Sequence, residues 1–223
     1  QEVPMNSPMI QLLVLAGIAV FLILRLKNVL GTREGFEKTP EIDAKPQKAS
    51  GPAFEVIEGG PDLDIIDHAP EGSDTALALA DMKRVEPSFG VSDFLGGARG
   101  AYEMIVMGFE HGNLDDIKPF LSEDIYESFV DGVAAREDQG LTVESTFIGI
   151  REMELEKATI DKNTNEAELT IRFVAELTSV VKDKEGNVVE GSPTEVKRQK
   201  DTWVFARVMG SDDPNWLLVS TDG

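Results

Sequence analysis

The hydrophobic positions change their spacing three times along the chain. Residues Met9 to Leu24 form a nearly continuous apolar run, and the next sixty residues hold only short apolar islands. From about Pro87 the apolar residues recur at helical spacing, and after Gly140 they alternate with polar residues as in strands. These patterns predict a transmembrane anchor at 8–27, a linker at 28–86 and a globular domain at 87–223.

The first run has the length and flanks of an uncleaved anchor. At ~1.5 Å rise per residue it covers most of a ~30 Å hydrocarbon core. Arg25, Lys27 and Arg33 follow it, and no Lys or Arg precedes it in this sequence, so the positive-inside rule predicts a cytoplasmic C-terminal side. A cleavable signal peptide needs a basic region before the run and a small-residue cleavage site after it, and both are missing. The predicted anchor residues are Ile10, Leu12, Leu13, Val14, Leu15, Ile18, Val20, Phe21, Leu22, Ile23, Leu24, Arg25 and Lys27.

The linker is rich in Pro, Gly and acidic residues, so we expect it to be extended or disordered by itself. Its apolar islands are Phe54 to Ile57, Leu63 to Ile66 and Ala76 to Met82, and Ser73 is a candidate N-cap for a helix in the third. The islands are either incidental or docking segments, which would order on a partner or on the chain's own domain. The candidate docking residues are Phe54, Val56, Ile57, Leu63, Ile65, Ile66, Leu77, Leu79 and Met82.

The globular domain begins with helices. A long helix is predicted through Phe94 and Phe109, with Ser92 as N-cap. Its three glycines lower helix propensity, so we expect a neighbouring element to approach them closely; they are Gly96, Gly97 and Gly100. A short helical piece through 114–120 and a further helix opened by Ser122 follow.

Period-two alternation then predicts an antiparallel sheet with one buried face. The candidate strands are 142–150, 153–160, 166–181, 195–208 and 216–220, with hairpin turns at 161–164 and 184–187. Helices followed by long antiparallel strands indicate an α+β fold.

Composition excludes several classes of protein. The net charge of −20 over 223 residues argues against nucleic acid as a partner. The chain has no cysteine, and its two histidines, His68 and His111, are far apart. Disulfides and thiolate metal sites are therefore excluded, and a histidine zinc site or a Ser-His-Asp triad is disfavoured. We expect no cofactor.

Five segments carry a resemblance to a known family: Phe94 to Ile105, Phe147 to Ile150, Ile171 to Phe173, Asp201 to Arg207 and Ser211 to Leu218. Together they resemble the Tim44-like domain, over about 87–221. The resemblance implies a cone of the nuclear-transport-factor-two-like type, in which a curved antiparallel sheet wraps around helices and leaves a partly open apolar cavity. Alphaproteobacterial members that resemble this chain add one transmembrane helix and an acidic linker. The long basic region that recruits a heat-shock chaperone in the mitochondrial protein is missing here, so chaperone docking is not implied.

Six aromatic side chains are candidates to line a cavity or a partner groove, although a packed core is the simpler interpretation. They are Tyr102, Tyr126, Phe173, Trp203, Phe205 and Trp216. The charged strand residues Arg172, Glu176, Asp201 and Arg207 are expected in exposed cross-strand pairs on the convex face of the sheet, and the alternative is that they mark the mouth of the cone. Because the inward strand positions hold no His or Asp by pattern, we expect no enzyme.

These observations and the resemblance predict a single-pass adaptor of a bacterial inner membrane with a cytoplasmic domain. Its partners would be an integral membrane protein or a membrane complex in membrane-protein biogenesis or assembly, besides the lipid bilayer around the anchor. One alternative is a constitutive accessory subunit of a large inner-membrane complex, such as a respiratory one. Another is a module that binds a lipid or another hydrophobic ligand. The sequence leaves the oligomeric state open.

Overall fold

The structure is a computed structural model that describes residues 61–222, and these contain four α-helices, one 3₁₀ turn and a four-stranded sheet. The predicted anchor at 8–27 and the docking residues Phe54, Val56 and Ile57 lie outside this range. No helix within it has both the length and the hydropathy needed to cross a membrane. The elements are α1 (Leu63–Ile66), α2 (Asp74–Val85), α3 (Val91–Glu110), the 3₁₀ turn (Lys118–Phe120), α4 (Glu123–Asp138), β1 (Thr142–Ile160), β2 (Glu166–Lys182), β3 (Val188–Val208) and β4 (Leu217–Asp222).

The sheet is an antiparallel meander in the order β1-β2-β3-β4, which confirms the α+β fold class. The predicted strands 142–150 and 153–160 form one strand, β1, with three register shifts against β2. One of these shifts lies between Ile150 and Glu152, at the predicted break. A bulge adds one residue and reverses the inward and outward positions, so the alternation in the sequence looks interrupted while the strand continues.

Serine side chains cap α2 and α4 as predicted. Ser73 accepts a hydrogen bond from the amide of Ala76, and Ser122 accepts one from Ile125. The predicted cap of α3, Ser92, is wrong, because the helix begins at Val91 after Gly90, which has no side chain to offer. The carboxylate of Asp64 takes this place and accepts hydrogen bonds from the amides of Val91 and Ser92 at 2.7 and 2.8 Å.

Two of the three linker islands belong to the core of the domain itself. Leu79 and Met82 of α2 are fully buried, and α2 packs against β1. Ile65 of α1 is also buried, Ile66 is half-buried, and Leu63 and Leu77 are exposed. Residues 63–85, which the sequence pattern predicted as part of the linker, thus dock on their own domain, since α2 packs on the sheet.

The three glycines of α3 do not mark a close approach. Gly96, Gly97 and Gly100 are exposed, and a Cβ added at any of them would meet nothing within 4 Å among residues 61–222. The tight position on this helix is Gly108, where a Cβ would lie 2.7 Å from Cγ2 of Ile117. The expectation for the first three was wrong because each of them is exposed and has open space beside it.

Candidate functional site

An open groove runs between α3 and the end of the sheet, with a cavity volume of about 340 Å³. Five aromatic side chains line it, and we call it the aromatic groove; they are Phe89, Phe94, Phe120, Phe205 and Trp216. Its floor on α3 is made of small residues: Gly97, Ala98 and Ala101. Phe94, Phe205 and Phe89 are buried, whereas Phe120 and Trp216 are half-buried at the opening.

The sequence positions each wall for a local reason. Phe94, Gly97, Ala98 and Ala101 follow one another at helical spacing and therefore share one face of α3. Trp216 follows the Asp213-Pro-Asn215 turn, in which the Asp213 carboxylate accepts from the amide of Asn215 at 2.9 Å. Its ring lies 4.8 Å from that of Phe94, edge to face, and 6.0 Å from that of Phe89. Aromatic side chains so packed form a preformed wall.

A largely buried ion pair lines the groove. Arg207 donates to both carboxylate oxygens of Glu86 at 3.1 and 2.9 Å, and its side chain is only 8% exposed. The amide of Gly210 donates to the same carboxylate at 2.9 Å. Burial alone would raise the pKa of Glu86, but these hydrogen bonds and the charge of Arg207 hold the pKa below its usual value. The prediction that Arg207 lies in an exposed pair was wrong, because its partner comes from the helical layer.

The structure brings only two of the six predicted cavity residues into the groove, Phe205 and Trp216. Tyr102, Phe173 and Trp203 are packed in the core, with the ring of Tyr102 centred 4.3 Å from Phe173 and 4.6 Å from Trp203. Tyr126 is half-buried on α4, where Lys118 Nζ lies 4.7 Å above its ring.

Three aromatic residues of the groove were not among the candidates: Phe89, Phe94 and Phe120. Phe94 carries a signal in the sequence, since small residues follow it on the same helical face. Phe89 and Phe120 lie outside the helices and strands that supply periodicity, so pattern alone gives no reason to select them.

Asp201 lies inside the core, contrary to the expectation of an exposed pair. Its carboxylate accepts hydrogen bonds from the Tyr102 hydroxyl and, at 2.8 Å, from Nε2 of Gln199. Burial raises the pKa of Asp201, although both hydrogen bonds act in the opposite direction. Burial and the neighbouring carboxylate also raise the pKa of Tyr102. Neither residue lines the aromatic groove.

The other charged strand residues form the expected exposed pairs. Arg172 reaches Glu152 and Glu154 at 3.2 and 2.8 Å on the face of the sheet turned away from the helices. Glu176 lies between Arg151 and Arg198, at 2.6 and 3.0 Å. Exposed pairs of this kind contribute little to stability.

Comparison with known proteins places the chain in a family. The model of the Tim44-like domain matches residues 75–223. Human mitochondrial import inner membrane translocase subunit TIM44 is 27% identical over 144 residues, which are 63% of this chain and 31% of the human protein. The chain thus spans about a third of that relative's length.

One solved structure is also similar to this chain, with lower sequence identity than the human protein. The crystal structure of the intermembrane space region of chloroplast protein ARC6 matches with a TM-score of 0.40 and 12% identity, over 57% of this chain and 94% of that one. Since the family model covers most of the chain, including the helices α3 and α4, the whole sheet and the aromatic groove, the chain belongs to the Tim44-like domain family.

Proposed function

We propose that this protein is a membrane-anchored adaptor that binds partner proteins in the aromatic groove. The anchor at 8–27 would hold it in a bacterial inner membrane, with the domain on the cytoplasmic side. Its partners are integral membrane proteins or membrane complexes in membrane-protein biogenesis or assembly. Membership of the Tim44-like domain family and the similarity to a subunit of a membrane translocase support this role.

The aromatic groove is the observation that carries the proposal. Large aromatic walls around a small-residue floor suit an apolar side chain of a partner, since binding energy at protein interfaces concentrates in such anchors. The ion pair of Arg207 with Glu86 and the contact of Phe94 with Trp216 hold the walls in place before binding. A preformed site loses little conformational entropy when it is filled.

The bulges of β1 support the cone shape that the family resemblance implies. Each register shift increases the local bend and twist of the strand. We propose that a sheet bent in this way wraps around the helices on its inner face, with the aromatic groove at its open end.

The placement of the titratable groups supports a non-catalytic role. Asp201 and Tyr102 hydrogen-bond each other in the core, away from the groove. The polar groups that line the groove include Glu86 and Arg207, which bind each other. A general acid or base needs access to a substrate, which neither pair provides. Among the described lining residues, Asp93 is the one carboxylate outside these pairs, and it is exposed.

Site-specific photo-cross-linking in native membranes tests the proposal. A photoreactive residue at Gly97, where a side chain would point into open space, is compared with one at Glu185, exposed in the β2–β3 turn. We expect reproducible protein adducts from position 97, which the substitution Trp216→Ala removes. The same adducts from both positions, or adducts that persist in Trp216→Ala, would contradict docking in the groove.

A further inference from the structure

We propose that the free edge of β3 is a second docking surface, which takes an extended acidic segment of a partner protein as an added strand. The free edge is the part of β3 at residues 197–201, on the side turned away from β2. None of these residues lines the aromatic groove. The inference therefore does not rest on docking in that groove.

The backbone of the free edge is open on one side. β4 pairs with β3 only at residues 202–206, whereas β2 continues beside β3, with 173–177 opposite 197–201. Among residues 61–222, the backbone groups of 197–200 have hydrogen-bond partners on β2 alone. In an antiparallel pair every second N–H and C=O points away from the neighbouring strand, so these groups are available to a further strand.

The register makes this edge more suitable than the opposite edge of the sheet. The outer strand there, β1, has three register shifts against β2, and such bulges disrupt a regular ladder. The pairing of β3 with β2 is unbroken from Lys197 to Val208. Before Lys197, residues 193–196 have only Thr178 opposite them and form a bulge that includes Pro193. An added strand is therefore confined to the space between this bulge and β4.

The side chains along the free edge are basic, in a chain with a net charge of −20. Lys197, Arg198 and Lys200 are exposed. Glu176 binds both Arg198 and Arg151, at 3.0 and 2.6 Å, so two cations share one anion. Lys200 has no ion-pair partner within the described part of the chain. This local excess of positive charge is complementary to the carboxylates of a partner.

The alternation along β3 determines where the acidic residues of an added strand lie. Asp201 is buried on the inner face of the sheet, so Arg198 and Lys200, which are out of phase with it, lie on the outer face. Side chains directly opposite each other on antiparallel strands lie about 5 Å apart. Two carboxylates at every second position of an extended segment would therefore meet Arg198 and Lys200.

The same charges act against pairing with a second copy of this chain. Antiparallel pairing of the free edge with itself would place Lys and Arg side chains beside one another, and like charges directly opposite destabilise a sheet. Lysine on a sheet edge commonly prevents self-association in this way. The edge thus repels its own copy and attracts an acidic strand.

Binding of synthetic peptides to the full chain in phosphatidylcholine nanodiscs tests the inference. The probe is a fluorescein-labelled peptide of alternating Glu and Val residues, and its twin has Lys at every Glu position. We expect fluorescence anisotropy to show saturable binding of the acidic peptide alone. Hydrogen exchange, followed by mass spectrometry, should slow at residues 197–201 when the peptide is bound, because their outward N–H groups gain acceptors.

Methylation of the peptide backbone distinguishes strand addition from a contact of side chains alone. One acidic peptide carries N-methyl groups on its Glu residues, and a second carries them on its Val residues. On an added strand one of these two sets of N–H groups points to β3 and the other points to solvent. One methylated peptide should therefore lose binding while the other keeps it. The same affinity for both, whether kept or lost, would contradict strand addition.

Charge substitutions separate the free edge from the overall field. The double variant Arg198→Gln with Lys200→Gln should bind the acidic peptide about five-fold more weakly at about 0.1 M salt. Its matched control is Lys157→Gln with Lys162→Gln, which removes the same charge from exposed positions near the turn after β1. We expect the control to change the affinity less than about two-fold, because salt screens distant charges.

Four further results would overturn the inference. Equal binding of the basic twin would show that the edge has no charge preference. Equal weakening by both double variants would place the effect in the net charge. Slower exchange at 197–201 in phosphatidylglycerol nanodiscs, with no binding of the acidic peptide, would assign the basic side chains to an anionic membrane surface. Loss of peptide binding in Trp216→Ala would place the peptide in the aromatic groove, and the proposed function would stand.

Discussion

The hydrogen bond between Tyr102 and Asp201 joins α3 to β3 in the middle of the core. Because burial raises the folded-state pKa of Asp201 above the unfolded value of about 3.9, the stabilising contribution of this group is fully present below that value. It is lost as the pH rises through the folded-state pKa. At neutral pH the ionised, buried carboxylate of Asp201 therefore lowers the free energy of unfolding.

The substitution Asp201→Asn keeps an acceptor for Tyr102 and removes the charge. We therefore expect the variant to unfold at a higher urea concentration than the parent at pH 8, and the two midpoints to converge towards pH 4. A gap that grows as the pH falls would contradict this prediction. Tyr102→Phe, which deprives the carboxylate of a donor, should instead cost about 1–3 kcal/mol at neutral pH.

The alternation along β3 indicates which of its charged side chains face inward. Asp201, Trp203, Phe205 and Arg207 are in phase along β3, so alternation places all four on the inner face. Asp201 and Arg207 were nevertheless predicted on the exposed face, because a charged side chain is costly to bury. What alternation does not provide is the partner of each charge, since Glu86 is 121 positions from Arg207.

At the scale of single elements, α3 depends on a cap from outside the helix. Asp64→Ala removes the acceptor of two amides and a partner of Lys83, whose Nζ lies 2.8 Å away. We expect a loss of roughly 1–2 kcal/mol in the free energy of unfolding. The nearby, exposed Asp67→Ala is the matched control and should change it by less than about 0.5 kcal/mol.

The pH dependence gives a second readout for this cap. Burial alone would raise the pKa of Asp64, but hydrogen bonds from Lys83, Ser92 and Val91 outweigh it and hold the pKa well below its usual value. A depressed pKa stabilises the fold above the unfolded value of about 3.9, and this stabilisation is lost as the pH falls towards the folded value. The difference between parent and Asp64→Ala should therefore shrink below about pH 4; a constant difference would argue against the cap.

The outer glycines of α3 should be replaceable. Gly100→Ala adds a methyl group to open space. Because Ala has a higher helix propensity than Gly, we expect the free energy of unfolding to rise by about 0.5–1 kcal/mol. Gly108→Ala, on the same helix, would bring its Cβ to 2.7 Å from Ile117 and should destabilise the domain. Calorimetry of the two variants checks the prediction, which fails if both changes have the same sign.

Local signals explain which element boundaries the sequence could predict. Ser73 and Ser122 cap helices that begin directly after them, and Gly112 follows the end of α3 with φ +72. The start of α3 and the continuity of β1 depend on residues that are distant in the sequence. Asp64 is 27 positions from Val91, and the bulges of β1 are defined only by its pairing with β2.

At the scale of the whole molecule, α2 belongs to the cooperatively folding domain, because it packs on β1 and contributes fully buried residues to the core. Leu79 is fully buried and Leu77 is exposed on the same helix. We expect Leu79→Ala to cost about 2–4 kcal/mol and Leu77→Ala less than about 0.5 kcal/mol, measured by denaturant unfolding.

A shortened chain tests the same point. A chain that starts at Pro87 lacks α2 and Glu86 and should remain unfolded by circular dichroism, whereas one that starts at Pro61 should fold. A cooperative transition in the shorter chain would show that α2 is dispensable.

The fold class followed from periodicity, because helices and strands of this length have distinct spacings. The boundary of the domain did not, since a short island such as Ala76 to Met82 has the same pattern whether it packs on its own sheet or on a partner. The aromatic groove joins Phe89, Phe120 and Trp216 from three loops or turns, and only the tertiary structure brings such residues together. The anchor at 8–27 stays a prediction.

The meander has a consequence for the order in which the sheet closes. Pairing of β1 with β2 can start at the turn after Ile160, opposite Ala167, and ends at Thr142 with Lys182. Pairing of β2 with β3 can start beside Lys182 and ends at Glu166 with Val208. Each added pair then closes only a slightly longer loop, at a small entropic cost. The two hairpins would thus zip in opposite directions along β2, and each would finish at the turn where the other begins.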